Sequence, residues 1–323
     1  MNCLEIQQAG PMVTVQDAGR KGWLHAGVSG SGPMDAPSFR IANALVGNSQ
    51  HDAALEFAAV GGHFSVAQPT RCAVTGGDID ISIDGVKLYP WESFDLFPGQ
   101  VLKIGACRQC VWGYLAVAGG FDVTPVLGSR STHLRSGLGG YRGRKLQAGD
   151  QLPLSSQPPA AHRRLGLPWK RSSGPIRVIP GPQDDYFSED VRGVFFSSSF
   201  TLSSSRDRMA QILEGPMISA ERGHDIVSDG TCPGSIQVPS SGQPIVLMAE
   251  RQTTGGYPKI ATIASIDLPR LAQMPSRQHV RFTAISQAEA EELLIAQHKA
   301  LQDVLTNLLE ISKQNHVSGD KGR

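Results

Sequence analysis

Glycine and proline interrupt this chain so often that most of its regular elements must be short. The 323 residues include 36 Gly and 21 Pro, which imply many turns. Few long stretches carry the apolar periodicity of a helix, so the sequence predicts a mainly β fold with some helix. Apolar residues make up 40% of the chain and charged residues 18%, a balance that predicts a packed core and argues against disorder.

Charge and apolar patterning exclude several classes of protein. The formal net charge is +1 and no Lys/Arg run lies beside aromatic residues, so we expect neither nucleic-acid nor membrane-surface binding. No apolar run is long enough to cross a bilayer, and the first residues lack the basic and apolar parts of a secretory signal. Five cysteines, an odd count, argue against a disulfide framework. We therefore expect a cytoplasmic protein with reduced thiols.

The N-terminal part of the chain, residues 1–154, is predicted to be one strand-rich domain. A helix is expected over residues 36–46, with Asp35 as its N-cap and Gly47 with Asn48 at its end. A linker is predicted over 155–174, where Ser, Pro and basic residues follow one another; its charge is interpreted as solvated surface. Five short runs in the first part are apolar or alternate, which predicts strands: 13–16, 72–75, 79–83, 101–104 and 111–117.

A second strand-rich domain is predicted over 175–286, beginning with a strand at 176–179. A helix over 287–314 follows, because Ser286 and Glu289 have the spacing of a capping box. We expect this helix to dock on the second domain or on a partner protein, and the tail 315–323 to be disordered. The apolar stripe of the helix contains Ala290, Leu294, Leu301, Val304, Leu305, Leu308 and Ile311.

The most unusual polar segment is 250–260, which lies between the apolar runs 245–249 and 260–266. Two strands around the Gly255-Gly256 pair predict a hairpin. The segment carries more hydrogen-bonding side chains than a turn requires, which favours a functional loop over a merely solvated one. With the upstream segment 228–239, these side chains could converge on one pocket, where lysine and tyrosine can polarise a carbonyl or move a proton: Asp229, Gln237, Arg251, Gln252, Tyr257 and Lys259.

Besides the segment 250–260, two glycine-rich clusters could form functional sites. In the cluster at 16–35, Asp17 and Arg20 either form an ion pair that holds a turn, or Arg20 grips a carboxylate or phosphate. The cluster at 119–144 carries four arginines and several hydroxyls, which favours an anion site over a flexible basic loop. No phosphate-binding loop occurs. The pair Cys107 and Cys110 lacks the further ligands of a zinc site, so it is interpreted as incidental and no metal is predicted.

The clusters together resemble the allophanate hydrolase subunit 2 family, which includes biotin-dependent carboxyltransferase domains and Kip antagonist proteins. The resemblance spans about residues 4–285 and implies two cyclophilin-like β-barrel domains, a C-terminal helix outside the match, and a ligand in the cleft between the domains. The motifs that carry it are Gln16-Asp17-x-Gly19-Arg20, Gly32-Pro33-Met34-Asp35, Arg40-x-Ala42-Asn43, Leu45-Val46-Gly47-Asn48, 115–120, Gly128-Ser129-Arg130-Ser131-Thr132, Gly149-Asp150, Asp207-Arg208-Met209, 234–239 and 251–260.

The resemblance implies an enzyme that hydrolyses a cyclic amide. It is most like the C subunit of an ATP-dependent 5-oxoprolinase, which opens 5-oxoproline to glutamate together with subunits A and B. ATP is then the expected cofactor, bound on this chain or with the partner subunits. One alternative is a carboxyltransferase that moves CO2 from carboxybiotin to urea or a related amide, with biotin as cofactor. Another is a non-catalytic regulatory partner of a Kip inhibitor-like protein.

A lactam is a poor electrophile, so its carbonyl oxygen needs activation and the developing charge needs fixed cationic donors. We assign Lys259 and Arg251 to the oxyanion, and Asp229 with Tyr257 to orienting the ring or relaying a proton. Arg130 and Arg144 are assigned to the substrate carboxylate or phosphate. These roles require Arg130 and Lys259 to line one crevice. The other predicted substrate-binding residues are Asp17, Arg20, Met34, Ser131, Thr132, Gln237, Gln252, Thr253 and Gly255.

Overall fold

The computed structural model describes residues 2–155 and 161–311, and most of its regular elements are strands. The predicted tail 315–323 lies outside the described residues. The helices are α1 Ala36–Leu45, α2 Glu189–Ser197, α3 Leu268–Gln273 and α4 Gln287–Thr306. The strands are β1 Cys3–Ala9, β2 Val13–Gln16, β3 Ala54–Ala58, β4 Val60–Val66, β5 Thr70–Thr75, β6 Asp78–Ile83, β7 Val86–Leu88, β8 Ser93–Leu96, β9 Leu102–Arg108, β10 Trp112–Val117, β11 Gln151–Pro153, β12 Arg163–Leu165, β13 Ile176–Pro180, β14 Phe200–Arg206, β15 Ala210–Glu214, β16 Asp229–Gly230, β17 Ser235–Gln237, β18 Ile245–Leu247, β19 Thr254–Gly255, β20 Lys259–Ile263, β21 His279–Val280, β22 Phe282–Ala284 and β23 Leu308–Glu310.

The first lobe, residues 2–155, contains two sheets that share one apolar core. One sheet has the order β11-β1-β4-β9-β6-β7 and the other β2-β3-β10-β5-β8. Side chains from both, such as Phe57 and Phe64, are fully buried in the same cluster. The five strands predicted from alternation all occur, as β2, β5, β6, β9 and β10. The fold is mainly β, as the glycine and proline content predicted.

Helix α1 is held to the first lobe by its cap and its apolar face. The Asp35 carboxylate accepts a hydrogen bond from the Ser38 N–H at 3.2 Å, which confirms the predicted N-cap. The helix ends one residue before the predicted end, and Gly47 follows with a φ of 82°. Phe39 packs edge-on against Tyr114 of β10, with ring centroids 5.9 Å apart. The start of α1 is therefore fixed next to the strand that carries Tyr114.

The second lobe, residues 176–284, contains an eight-stranded sheet of order β21-β14-β15-β18-β17-β20-β13-β22. The predicted strand at 176–179 is confirmed as β13. The predicted hairpin across Gly255-Gly256 is wrong, because β17 lies between β18 and β20 and pairs with both. All three residues of β17 are buried, which suits a central strand. Within the loop between β18 and β20, β19 pairs with β16, a short strand that precedes β17.

The predicted linker contains structure that its composition did not indicate. Its strand β12 pairs with β23, so the chain just after the first lobe is tied to the C-terminal segment. The basic residues of this segment are not merely solvated: Arg171 pairs with the fully buried Asp35, and Arg163 Nη1 donates to the Ala44 carbonyl at 3.2 Å. The division of the chain into separate domains stays a prediction.

The C-terminal helix α4 begins with the predicted capping box at Ser286 and Glu289. It ends at Thr306, so the predicted extension to 314 is wrong within the described residues; Leu308 instead lies on β23. The physical reason is that the edge of β12 offers backbone partners that end the helix in favour of a strand pair. The helix packs on both lobes: Leu301 and Val304 share a cluster with the α1 side chains, and Ala290 packs near Ala264.

Candidate ligand site between the lobes

A buried ionic network joins the two lobes around Arg208, whose exposed fraction is 1%. Its Nε donates to Glu250 Oε1 at 2.5 Å, and its Nη2 donates to the Gly32 carbonyl at 2.7 Å. Its Nη1 donates to Glu56, a residue in the middle of β3. Burial raises the pKa of Glu56, while Arg208 and the Met34 and Tyr114 donors favour the ionised carboxylate. One guanidinium therefore fixes residues of both lobes.

A second polar link lies at the start of α1. The buried Asp35 carboxylate accepts hydrogen bonds from Ser38 Oγ at 2.7 Å and from Gln273 Nε2 at 2.8 Å, and it pairs with Arg171. The Gln273 side-chain carbonyl accepts from the Trp112 N–H at 2.9 Å. Together with Arg208, these contacts hold the segment 30–36 at several points to the second lobe.

Between the lobes lies a cavity of about 250 Å³. We call it the interlobe cavity. Among the described residues that line it, Arg251 is the one that carries a charge; its exposed fraction is 6%, and its Nε and Nη2 donate to the Thr231 carbonyl at 3.3 and 3.2 Å. Burial lowers the pKa of Arg251 from its usual value. The lining residues are Gly30, Ser31, Pro33, Met34, Ala36, Pro233, Met248, Ala249, Arg251, Ser265, Leu268 and Pro269.

Two polar groups on the first-lobe side of this region are buried without partners among the described residues: Ser31 Oγ and Arg20 Nη1. Ser31 lines the cavity and has a φ of 54°, a left-handed conformation that is strained for a residue other than glycine. The Arg20 N–H donates to the Gly30 carbonyl at 2.7 Å, so Arg20 lies directly behind the lining. Buried donors without partners are rare in folded proteins and mark places where a ligand or water completes the hydrogen bonding.

Four of the six polar residues predicted to converge in the second lobe lie together beside β19: Asp229, Gln237, Gln252 and Lys259. Lys259 has an exposed fraction of 2% and its Nζ donates to Asp229 Oδ2 at 2.8 Å, which lowers the pKa of Asp229. Gln252 Nε2 donates to Gln237 Oε1 at 3.4 Å, and Gln237 Nε2 is buried without a partner among the residues described. A Cβ on Gly255 would lie 2.3 Å from Gln237 Nε2, so a larger residue at this position must displace that amide.

The remaining predicted residues of this loop differ in placement. Arg251 lies in the lining of the interlobe cavity, apart from the contacts that join its neighbour Gln252 to Gln237. The Thr253 carbonyl accepts from the Thr231 N–H at 3.0 Å, which is a backbone contact of the β16–β19 ribbon. Tyr257 has an exposed fraction of 38%. Met34, predicted from the first cluster, lines the cavity on the opposite side.

In the first lobe, Asp17 has a structural environment. Its carboxylate accepts from Ser129 Oγ at 2.6 Å, from Ser131 Oγ at 2.7 Å and from the Gly19 N–H at 2.9 Å. It also accepts from the Arg130 N–H. Among the described residues Asp17 forms no ion pair with Arg20, whose Nη2 donates instead to the Ser131 carbonyl. Asp17 and Ser131 therefore join the two glycine-rich clusters, which explains both residues without a ligand.

Arg144, Arg130 and Thr132 are likewise engaged within the first lobe. Arg144 forms a two-pronged ion pair with Asp150, both bonds being 2.8 Å long. Arg130 Nε donates to the Val123 carbonyl at 2.9 Å, and Thr132 Oγ1 to the Val15 carbonyl at 2.9 Å. None of these three residues lines the interlobe cavity, and neither does Lys259. The structure therefore does not place Arg130 and Lys259 in that cavity together, as their assigned roles require.

A second cavity, of about 450 Å³, lies within the first lobe beside the segment 137–143. Arg142 and Arg144 both lie over the Tyr141 ring, at 5.1 and 5.7 Å from its centroid. The lining contains the Asp122 carboxylate as well as Arg142, so the cavity lacks the one-sided positive charge that the predicted anion site requires. Among the residues that the structure describes, no group of three or more His, Cys, Asp or Glu side chains could hold a metal.

Glu56, Arg208 and Ser31 were not predicted from the sequence as parts of this region. A signal for Glu56 exists: it is a lone carboxylate inside the apolar strand Ala54–Ala58, and a charge in that position needs a buried partner. Arg208 belongs to the Asp207-Arg208-Met209 motif that carries the family resemblance, and that motif alone does not indicate a role for it. Ser31 lies in the glycine-rich cluster at 16–35, but its unpartnered hydroxyl has no signal in the sequence, because hydrogen-bond partners are set by the folded structure.

Comparison with known proteins places these features in a family. The family described as "Carboxyltransferase domain, subdomain A and B" matches residues 26–284. The chain is 39% identical to the C subunit of 5-oxoprolinase from Escherichia coli, over 89% of this chain and 93% of that one. It is 34% identical to the C subunit of 5-oxoprolinase from Haemophilus influenzae, over 90% and 94% of the two chains. The chain also matches the crystal structure of the K. lactis urea amidolyase, with a TM-score of 0.86 and 29% identity. The match covers 96% of this chain and 20% of the urea amidolyase.

The chain belongs to the carboxyltransferase domain, subdomain A and B, family, as the resemblance to allophanate hydrolase subunit 2 proteins predicted. Its similarity to the two 5-oxoprolinase C subunits extends over nearly the whole of both chains. Its similarity to the urea amidolyase covers only one part of a much longer protein. Among the described residues, no helix is both long and apolar enough to span a membrane.

Proposed function

We propose that this chain is the C subunit of an ATP-dependent 5-oxoprolinase, which opens the lactam of 5-oxoproline to glutamate in a complex with subunits A and B. The observation that carries the proposal is the end-to-end match to two proteins of that name, at 39% and 34% identity. The size of the interlobe cavity supports it. A volume of about 250 Å³ lies below the roughly 300–1,000 Å³ of sites for drug-sized ligands, so a small metabolite suits it.

In this proposal the interlobe cavity holds the lactam, and ATP binds on this chain or on the partner subunits. The chain carries no phosphate-binding loop, which favours the partners. When bound, ATP would supply the phosphoryl group that activates the lactam carbonyl oxygen, with ADP as the leaving group. Hydrolysis of the activated ring by two water molecules would then break the C–N bond and release inorganic phosphate and glutamate. The cationic side chains of this chain hold the substrate during these steps.

The residues Lys259, Asp229 and Tyr257 remain our proposal for the acid–base and oxyanion roles. Lys259 is buried and its Nζ has one described partner, Asp229 Oδ2, so further N–H groups are free to donate to a carbonyl oxygen. The neighbouring Gln237 and Gln252 amides add donors of the kind that bind a lactam. Because Lys259 does not line the interlobe cavity, these roles require the lactam carbonyl to extend beyond the lining of that cavity.

Reconstitution tests the proposal directly. Purified subunits A and B, this chain, ATP and 5-oxoproline are mixed, and glutamate release is followed together with ADP formation. We expect glutamate only in the complete mixture, with mixtures lacking this chain or ATP as controls. If the three proteins form a stable complex that never releases glutamate, the chain is instead a non-catalytic regulatory partner of a Kip inhibitor-like protein.

A second candidate is supported by the family description and by the structural match to a urea amidolyase. In it, the chain is a carboxyltransferase that moves CO2 from carboxybiotin to urea or a related amide. This function requires a biotinylated partner. Pull-downs with the tagged chain from its own host, probed with avidin, decide between the two: a biotinylated band favours the carboxyltransferase, and its absence favours the 5-oxoprolinase component.

A further inference from the structure

We propose that Arg251 and Ser31 form a carboxylate-binding site across the lobe interface, which recognises a small organic acid with a compact apolar body. The inference rests on the proposed function, because it names the part of the substrate that the interlobe cavity recognises. It replaces the sequence-based assignment of the substrate carboxylate to Arg130 and Arg144, neither of which lines the interlobe cavity.

The first argument is the unbalanced charge of Arg251. Its exposed fraction is 6%, and the described residues supply it with a backbone carbonyl but with no carboxylate partner. A buried cation without a counterion is unfavourable, and proteins normally pair such a group. By contrast Arg208, which is also buried, forms ion pairs with two glutamates. No Asp or Glu occurs among the described residues that line the interlobe cavity, so an anion that enters the cavity becomes the missing partner of Arg251.

The second argument is Ser31. Its hydroxyl is buried and has no partner among the described residues. Ser31 lines the interlobe cavity from the first lobe, whereas Arg251 lines it from the second. The segment that carries it is anchored on both sides, by the bond from the Arg20 N–H to the Gly30 carbonyl and by the bond from Arg208 to the Gly32 carbonyl. A hydroxyl held there in a left-handed backbone conformation is preorganised to donate to one oxygen of an anion.

The third argument concerns the rest of the ligand. Apart from Arg251 and two serines, the lining is apolar or proline-rich, with Met34 and Met248 from opposite lobes. A fully hydrated inorganic anion gains nothing from such walls, whereas a carboxylate on a small carbon ring buries its apolar part against them. The chemistry of the cavity therefore selects a small cyclic or branched carboxylate, which includes 5-oxoproline.

Binding is measured by isothermal titration calorimetry on the purified full chain, with L-5-oxoproline, with 2-pyrrolidinone, which has the same ring without the carboxylate, and with acetate, which has the carboxylate without the ring. We expect the wild-type chain to bind 5-oxoproline more tightly than either fragment. The Arg251→Gln variant should lose on the order of tenfold to a hundredfold in affinity for 5-oxoproline, because charge-assisted hydrogen bonds are the strong ones. Its affinity for 2-pyrrolidinone should not change.

The Ser31→Ala variant separates an effect on binding from an effect on folding. Because Ser31 Oγ has no partner among the described residues, its removal should leave the urea unfolding midpoint unchanged or slightly higher. The affinity for 5-oxoproline should fall by about twofold to tenfold, as for one neutral hydrogen bond. The matched control is Arg142→Gln, since Arg142 is exposed and lies over the Tyr141 ring; its affinity for 5-oxoproline should equal that of the wild type.

Equal binding of 5-oxoproline and 2-pyrrolidinone by the wild type would overturn the inference, as would an Arg251→Gln variant that still prefers the acid. Absence of any binding to the wild-type chain would also overturn it. The result is separable from the proposed function. Carboxylate binding at Arg251 without glutamate release by the reconstituted complex would sustain the site and reject the enzyme. Glutamate release by the complex with an unchanged KM for 5-oxoproline in Arg251→Gln would sustain the proposed enzyme and reject the carboxylate site at Arg251.

Discussion

Replacing Arg208 with methionine should destabilise the chain strongly, because the substitution leaves two glutamates buried without their cation. Glu56 is fully buried and Glu250 has an exposed fraction of 4%. Removing one partner of a buried ion pair costs about 3–5 kcal/mol. Whole domains are stable by only about 5–15 kcal/mol. We therefore expect Arg208→Met to lose a large part of the free energy of unfolding, measured as a lower urea midpoint.

The pH dependence of this loss provides a sharper test. Burial raises the pKa of Glu56 even in the presence of Arg208, and the pKa must rise further when Arg208 is gone. A glutamate with a raised pKa in the folded state stabilises the fold when protonated and loses that contribution as the pH rises through the folded pKa. The difference in free energy of unfolding between the wild type and Arg208→Met should therefore become smaller as the pH falls from about 7 towards the ordinary glutamate pKa of about 4.3.

Two variants complete the experiment. Arg222→Met is the control, because Arg222 and its partner Asp185 are 62% and 56% exposed, and exposed ion pairs contribute about 0–1 kcal/mol. Adding Glu56→Gln to Arg208→Met should restore part of the lost stability, since it removes one uncompensated charge. A loss below about 1 kcal/mol in Arg208→Met, or a deficit that grows on acidification, would refute the argument that this network is ionised and buried.

Three further changes test other parts of the structure. Leu301→Ala should cost about 2–5 kcal/mol in free energy of unfolding, since Leu301 is 2% exposed; Ile295→Ala on the same helix should cost far less, because Ile295 is 70% exposed. Gly255→Ala should lower turnover of the reconstituted complex, because its Cβ would lie 2.3 Å from Gln237 Nε2; normal turnover would show that the Gln237 position is unimportant. Lys259→Ala should lower kcat by at least about tenfold if Lys259 donates to the lactam oxygen, and an unchanged kcat would remove it from the proposed site.

Much of the fold follows from signals that are local in sequence. Asp35 caps a helix because its carboxylate reaches an N–H three residues on, and Ser286 with Glu289 closes a capping box over the same distance. Alternating apolar residues identified strands such as Val13–Gln16, because one face of a strand must be buried. Each of these needs only neighbours along the chain, so the sequence alone was sufficient.

Only the tertiary structure decided which strands are neighbours and which arginines remain available. Strand β17 inserts between β18 and β20, a pairing that the turn residues at Gly255 do not encode. Arg144 and Arg251 are both basic residues in glycine-rich or polar loops, yet one meets Asp150 and the other meets no carboxylate among the described residues. Sequence shows that a cation is present; only the folded chain shows whether its counterion is already supplied, because that partner is brought by contacts between distant segments.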